Sequence, residues 1–235
     1  MSRNALARIV SVLLVALVHL PLHAADRPSQ LPPLLRELAL TNMGARDWLQ
    51  RLGARGRGPA RERLIAITRT GVIVDSLDGD ATHVSLTPGL DRMLAVEMPS
   101  LVLVHNHPNG TSLSGDDLSQ LEKPAVIAVI AIGHDGSIYA AARGPHFDSG
   151  WCGGDRYGEL RAVILTALVE DGDAGYRRPF LVSSFSTHLA ALALARTGVI
   201  EYVATMAPDR RAAYDDRRAI FGRIVVSASS RIATR

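Results

Sequence analysis

Apolar residues occur along this chain in short blocks punctuated by Gly, Pro and Asp, and the blocks separate into two periodicities. Leu64-Ile-Ala-Ile67 and Val72-Ile-Val74 lie on either side of Gly71 and read as a hairpin. Leu101-Val-Leu-Val104, Ala125 to Ile132 and Ser137 to Ala141 read as further strands, the last two joined by the turn Gly133-His134-Asp135-Gly136. Helical spacing is expected from Pro88 to Glu97, from a helix opened by Ser114, from Glu159 to Glu170, and from Ser186 to Thr197, capped by Ser186 and stopped at Gly198. One more helix is expected near Arg210 to Phe221, with a polar, frayed tail from Ser227 to Arg235. Strands alternating with helices and joined partly by hairpins predict the α/β class, with a mixed sheet in three layers.

The ends of the chain read differently from its middle. Arg3 and Arg8 precede the apolar run Ile9 to Val18, and Pro21 and the small residues Ala24 and Ala25 follow it. That is the form of a secretory signal peptide over residues 1–25, and it predicts a periplasmic or secreted protein. The run is too short for a bilayer span, so no stable membrane span is expected after cleavage. Residues 26–60 read as a helical leader, with Leu34, Leu35, Leu38, Trp48 and Leu52 apolar, closed by the flexible Gly53 to Pro59. Residues 61–145 hold the expected core, and 146–235 a helical C-terminal extension.

The net charge of +3 falls to +1 when Arg3 and Arg8 are removed, and Lys123 is the single lysine among the cations. No basic patch points to nucleic acid. Cys152 is the only cysteine, which excludes an intrachain disulfide; burial is its expected role and a catalytic thiol the outside alternative.

Chemistry concentrates in Leu101 to Leu118. His105 and His107, two apart on an extended backbone, leave the same face and can converge on one ion. Pro108 and Gly110 turn the chain, Ser114 is suited to cap a helix, and Asp117 falls in its first turn, where a carboxylate can point back toward the histidines. Two imidazoles and one carboxylate suit zinc, with a fourth position left for water. Either half alone has a plain explanation, a polar turn or a capped helix. Their coincidence at one strand-to-helix junction favours a metal site.

His105-x-His107-Pro108 followed by Leu113-Ser114-Gly115-x-Asp117-Leu118 resembles the zinc signature of the JAMM (JAB/MPN+) metallopeptidases, and the His-Asn-His-Pro-x-Gly form is closest to the bacterial RadC-like and JAB branch. The segment between Pro108 and Ser114 is one residue shorter than the usual pattern, which brings Asp116 into consideration, and the Leu-Ser-Gly-x-Asp-Leu register favours Asp117. The resemblance covers residues 61–145. It implies a JAMM/MPN-like, cytidine-deaminase-like core and zinc held by His105, His107 and Asp117. It implies further that Ser114 binds the reacting carbonyl oxygen. In that family a Glu ahead of the first core strand serves as the general base, and Glu62 occupies the matching place, with Glu97 the runner-up. Asn106 and Asn109 are candidates for positioning the loop. His83, His134, His146 and His188 are assigned to structure or surface, His146 being the first exception to consider.

The expected function is a secreted zinc peptidase or isopeptidase acting on a peptide or protein substrate. The alternatives are another metal-dependent hydrolase on this scaffold, such as a nuclease or cell-wall amidase, and a metal-binding or scaffold module without catalysis.

Overall fold

The structure, a computed structural model, describes residues 61–69, 72–81, 83–96, 100–170 and 179–233. The N-terminal run read as a signal peptide, the leader, Gly71 and Glu97 lie outside the described residues.

Six strands form one mixed sheet. They are β1 (Arg63–Thr68), β2 (Ile73–Asp78), β3 (Leu101–His107), β4 (Val126–Gly133), β5 (Ile138–Arg143) and β6 (Ile200–Thr205), in the order β2-β1-β3-β4-β5-β6. β3 and β4 run parallel, and every other neighbouring pair is antiparallel. All seven residues of β3 are buried, which is why its apolar part reads as an unbroken run instead of alternating. The α/β class and the mixed sheet predicted from the pattern are what the chain adopts.

Period-2 geometry divides the sheet's side chains between two clusters. Leu64, Ala66, Leu101, Leu103, Val129, Ala131, Tyr139 and Ala141 belong to a large core. Helices α1 (Pro88–Leu94), α3 (Gly154–Glu170), α4 (Pro179–Arg196) and α6 (Arg218–Ala233) pack into that core through Leu90, Leu160, Ile164, Leu189, Phe221 and Ile224, among others. Ile65, Ile67, Val102, Val104, Ala128 and Ala142 form the other cluster, in which the described residues are strand side chains. A register shift between Leu101 and Val102 lets Val126 join the first cluster while Ile127 and Ala128 join the second.

The C-terminal part differs from its expected form. The extension read as helical contains β6, which extends the sheet against β5 from Ile138↔Thr205 to Arg143↔Ile200. Its alternation of apolar and polar residues is short enough to pass for a connection between helices. Helix α4 starts at Pro179, so Ser186 is buried within it and does not cap it. Gly198, at φ 77°, stops the helix as expected. The region near Arg210 to Phe221 is two helices, α5 (Pro208–Asp215) and α6, and the tail read as frayed is helical to Ala233, with Ala228, Ser229 and Ile232 buried. The polar look of the tail comes from its small serines, which return their hydroxyls to the carbonyl four residues back: Ser229 Oγ donates to Val225 and Ser230 Oγ to Val226. Among the described residues no helix is long and apolar enough to cross a membrane.

Candidate metal centre

The two histidines end the sheet's central strand, on the face that carries Leu101 and Leu103. The chain then turns through Gly110, at φ 64°, and enters the short helix α2 (Gly115–Ser119) with Ser114 as its N-cap. A full capping box forms there. Asp117 N–H donates to Ser114 Oγ at 3.2 Å, and Ser114 N–H donates to Asp117 Oδ2 at 2.6 Å. The Ser114 hydroxyl also donates to Asp117 Oδ2, at 2.7 Å. The box fixes Asp117 by its own carboxylate and aims it at the histidines, while Asp116 is exposed. The shortened loop therefore still delivers Asp117.

His105 Nε2 lies 2.9 Å from His107 Nε2 and 3.0 Å from Asp117 Oδ1, and His107 Nε2 lies 3.4 Å from Asp117 Oδ2. An ion bound tetrahedrally at about 2.0–2.1 Å has ligand atoms about 3.3 Å apart, and each of these separations, the two histidines meeting different oxygens of Asp117, is close to that spacing. Both histidines are buried, and the three ligand atoms lie within 4.8 Å of one another. This group can hold a metal ion.

The tautomer of His107 supports that role. Its Nδ1 is 2.8 Å from the Thr111 carbonyl, which can only accept, so Nδ1 carries the proton and, in the neutral ring, the Nε2 lone pair is left for an ion held between His107, His105 and Asp117. His105 Nδ1 is buried without a hydrogen-bond partner. Burial opposes charge on both His107 and Asp117, but their mutual attraction outweighs it. The hydrogen bond that a protonated His107 donates to Asp117 raises the His107 pKa, and the charges and hydrogen bonds of His105 and His107 hold Asp117 well below the usual carboxylate range.

Glu62 shares this face. β1 pairs with β3 at Leu64↔His105, so two residues earlier Glu62 comes opposite His107. Its carboxyl is half-buried, and burial raises its pKa against the lowering fields of His107 and His105. Its backbone is pinned on both sides by Asn106, the residue between the two histidines, whose side chain leaves the opposite face of β3. Asn106 Oδ1 accepts from Arg63 N–H at 2.7 Å, and Asn106 Nδ2 donates to the Arg61 carbonyl at 2.9 Å. Asn106 Nδ2 also lies 2.9 Å from His134 Nε2. Asn106 thus anchors the start of β1, where the sequence suggested only a loop-positioning role. A polar residue at a buried position of an apolar strand was the available signal, because such a group demands partners.

At Asn109 it is the backbone carbonyl that is held, accepting from Arg210 at 3.0 Å, so this contact belongs to the loop's backbone and to Arg210. Cys152 is fully buried and burial pushes its thiol pKa up to about 12, which removes it as a nucleophile. His83 is exposed, and His146 lines a cavity with Trp151 and Arg196, apart from the three-residue metal group. His188 is structural, as expected: burial, helped by Arg210 and Arg211, lowers its pKa to about 3, so it is neutral.

No family model, curated protein or solved structure matches this chain. The fold and the site together define an α/β protein with a buried His-His-Asp group, able to hold a metal, at the end of its central strand.

Proposed function

We propose that this chain is an exported, zinc-dependent hydrolase that cleaves amide bonds in a peptide or isopeptide-linked protein substrate, built on a JAMM/MPN-like core. The observation that carries the reading is the convergence of His105, His107 and Asp117 with a non-ligand carboxylate, Glu62, on the same face and within electrostatic reach of all three. The donor set, two neutral imidazoles and one carboxylate, fits zinc. When bound, zinc supplies Lewis acidity that makes water a nucleophile near neutral pH and polarises a carbonyl.

The protein's own groups do the rest. Glu62 accepts the proton of the attacking water and returns it to the leaving amine nitrogen. Its raised pKa brings the carboxyl nearer the operating range of a general base than an exposed glutamate would be. Asn106 keeps Glu62 in place from behind. Ser114 first orients Asp117, and its hydroxyl turns from Asp117 Oδ2 to reach a developing oxyanion. The apolar N-terminal run flanked by Arg3 and Arg8 supports export, and the low net charge without a basic cluster supports a protein substrate over a nucleic acid.

The test is hydrolysis of peptide and isopeptide libraries by the zinc-loaded protein beside Glu62→Gln. The variant is expected to keep its metal and lose hydrolysis by about 10²-fold or more. Cleavage by Glu62→Gln at the wild-type rate, or no amide cleavage by zinc-loaded wild type, overturns the proposal.

A further inference from the structure

Four consecutive residues of the loop between His107 and Asp117 are each gripped, and two of the grips come from far along the chain. The Asn109 carbonyl accepts from Arg210 Nη2 of α5, at 3.0 Å, and the same guanidinium donates from Nε to Asp135 Oδ2 at 2.9 Å. The Gly110 carbonyl accepts from the Tyr139 hydroxyl at 3.3 Å. The Thr111 carbonyl accepts from His107 Nδ1, and Ser112 Oγ meets the Tyr202 hydroxyl of β6 at 2.7 Å. Tyr202 in turn meets His188 Nδ1 of α4 at 2.8 Å. A phenol has one proton, so Tyr202 donates to one of these neighbours and accepts from the other; the chain Ser112–Tyr202–His188 is complete only when all three are present. Ser112 and His188 are both buried, so neither group is easily repaired by solvent if Tyr202 is truncated.

We propose that Tyr202 is a positioning residue for the metal group, acting through Ser112 on the loop whose Thr111 carbonyl sets the tautomer and ring orientation of His107. This rests on the reading of His105, His107 and Asp117 as a metal site. Ser112 adjoins Thr111, so holding Ser112 holds the carbonyl that accepts from His107 Nδ1. Outer groups that orient a ligating histidine characteristically contribute tenfold or more to metal affinity. The C-terminal segment is thereby part of the metal site, although it supplies no ligand.

The experiment compares the full chain with Tyr202→Phe, Ser112→Ala and the double variant. Zinc affinity is read by competition with a chromogenic chelator, the cobalt(II) absorption spectrum reports ligand geometry, and melting of the metal-free protein reports fold. Each single variant is expected to weaken zinc by about tenfold or more and to alter the cobalt spectrum, and the double variant to be no worse than the more severe single. Ser112→Ala is the smaller lesion and keeps the test alive if Tyr202→Phe misfolds. Wild-type zinc affinity and an unchanged cobalt spectrum in the variants, with melting alone lowered, would mean a purely structural tyrosine and would overturn the proposal. Failure of the wild type itself to bind zinc or cobalt would instead overturn the metal reading on which it stands.

Discussion

Between His105 and His107, Asn106 holds the start of β1 from both sides. It accepts from one neighbour of Glu62 and donates to the other, so replacing it leaves two backbone groups at the start of β1 without partners. Asn106→Ala is expected to cost about 1–3 kcal/mol in denaturant unfolding, and Asn106→Asp, which keeps the acceptor but not the donor, to keep the contact with Arg63 and lose the amide's contacts with the Arg61 carbonyl and His134. An effect indistinguishable from zero in Asn106→Ala would show that the start of β1 is held otherwise. His188 offers a prediction in pH. The folded protein keeps it neutral down to about 3, whereas the unfolded chain binds a proton below about 6.5. Stability therefore falls as pH drops through that window, by up to about 1.4 kcal/mol per pH unit. In metal-free protein, His188→Gln should flatten this acid limb relative to wild type between about pH 6 and 4; the contribution of His107, whose pKa is raised, is already complete below about 6.5 and is lost only as pH rises above that window. Parallel profiles for the two proteins would contradict a buried, neutral His188.

At the scale of elements, the junction of β3, loop and α2 was the most legible part of the chain, because each step is dictated locally. An apolar strand, a Pro and Gly turn, and a Ser-x-x-Asp box are all written within a few residues of one another, and the structure brings His105, His107 and Asp117 together through those features. The close approaches behind the junction were not legible. A side chain at Gly110 would meet Asp135 Oδ2 at 2.5 Å and Arg210 Nη2 at 2.8 Å, and one at Gly115 would meet Tyr157 Cδ1 at 2.6 Å. These partners are distant in sequence, and no local pattern announces them. Gly110→Ala, strained at φ 64° and crowded as well, is expected to destabilise by about 1 kcal/mol or more and to weaken zinc binding. Ser114→Ala removes both the cap and one donor to Asp117, with an expected loss of about 0.5–2 kcal/mol that Ser114→Thr largely restores. Equal stability of Ser114→Ala and wild type by denaturant unfolding would contradict the capping account.

On the scale of the whole molecule, the α/β class and the mixed sheet followed from the alternation of strand and helix patterns, whereas the role of residues 146–235 did not. Short amphipathic blocks looked like a helical addition. Only in three dimensions does Ile200–Thr205 become the outer strand beside β5, and only there do Arg210 and Tyr202 reach the loop between His107 and Asp117. Pairing of such sequence-distant segments is set by tertiary packing, which periodicity cannot encode. The central claim is that these long-range and local contacts converge on a metal ion, and elemental analysis of the purified protein beside His107→Ala and Asp117→Ala tests it most directly. About one zinc per chain in wild type, lost from both variants while their folds persist, is the result predicted. Wild type that carries no zinc after reconstitution, or variants that bind it as wild type does, would contradict the account.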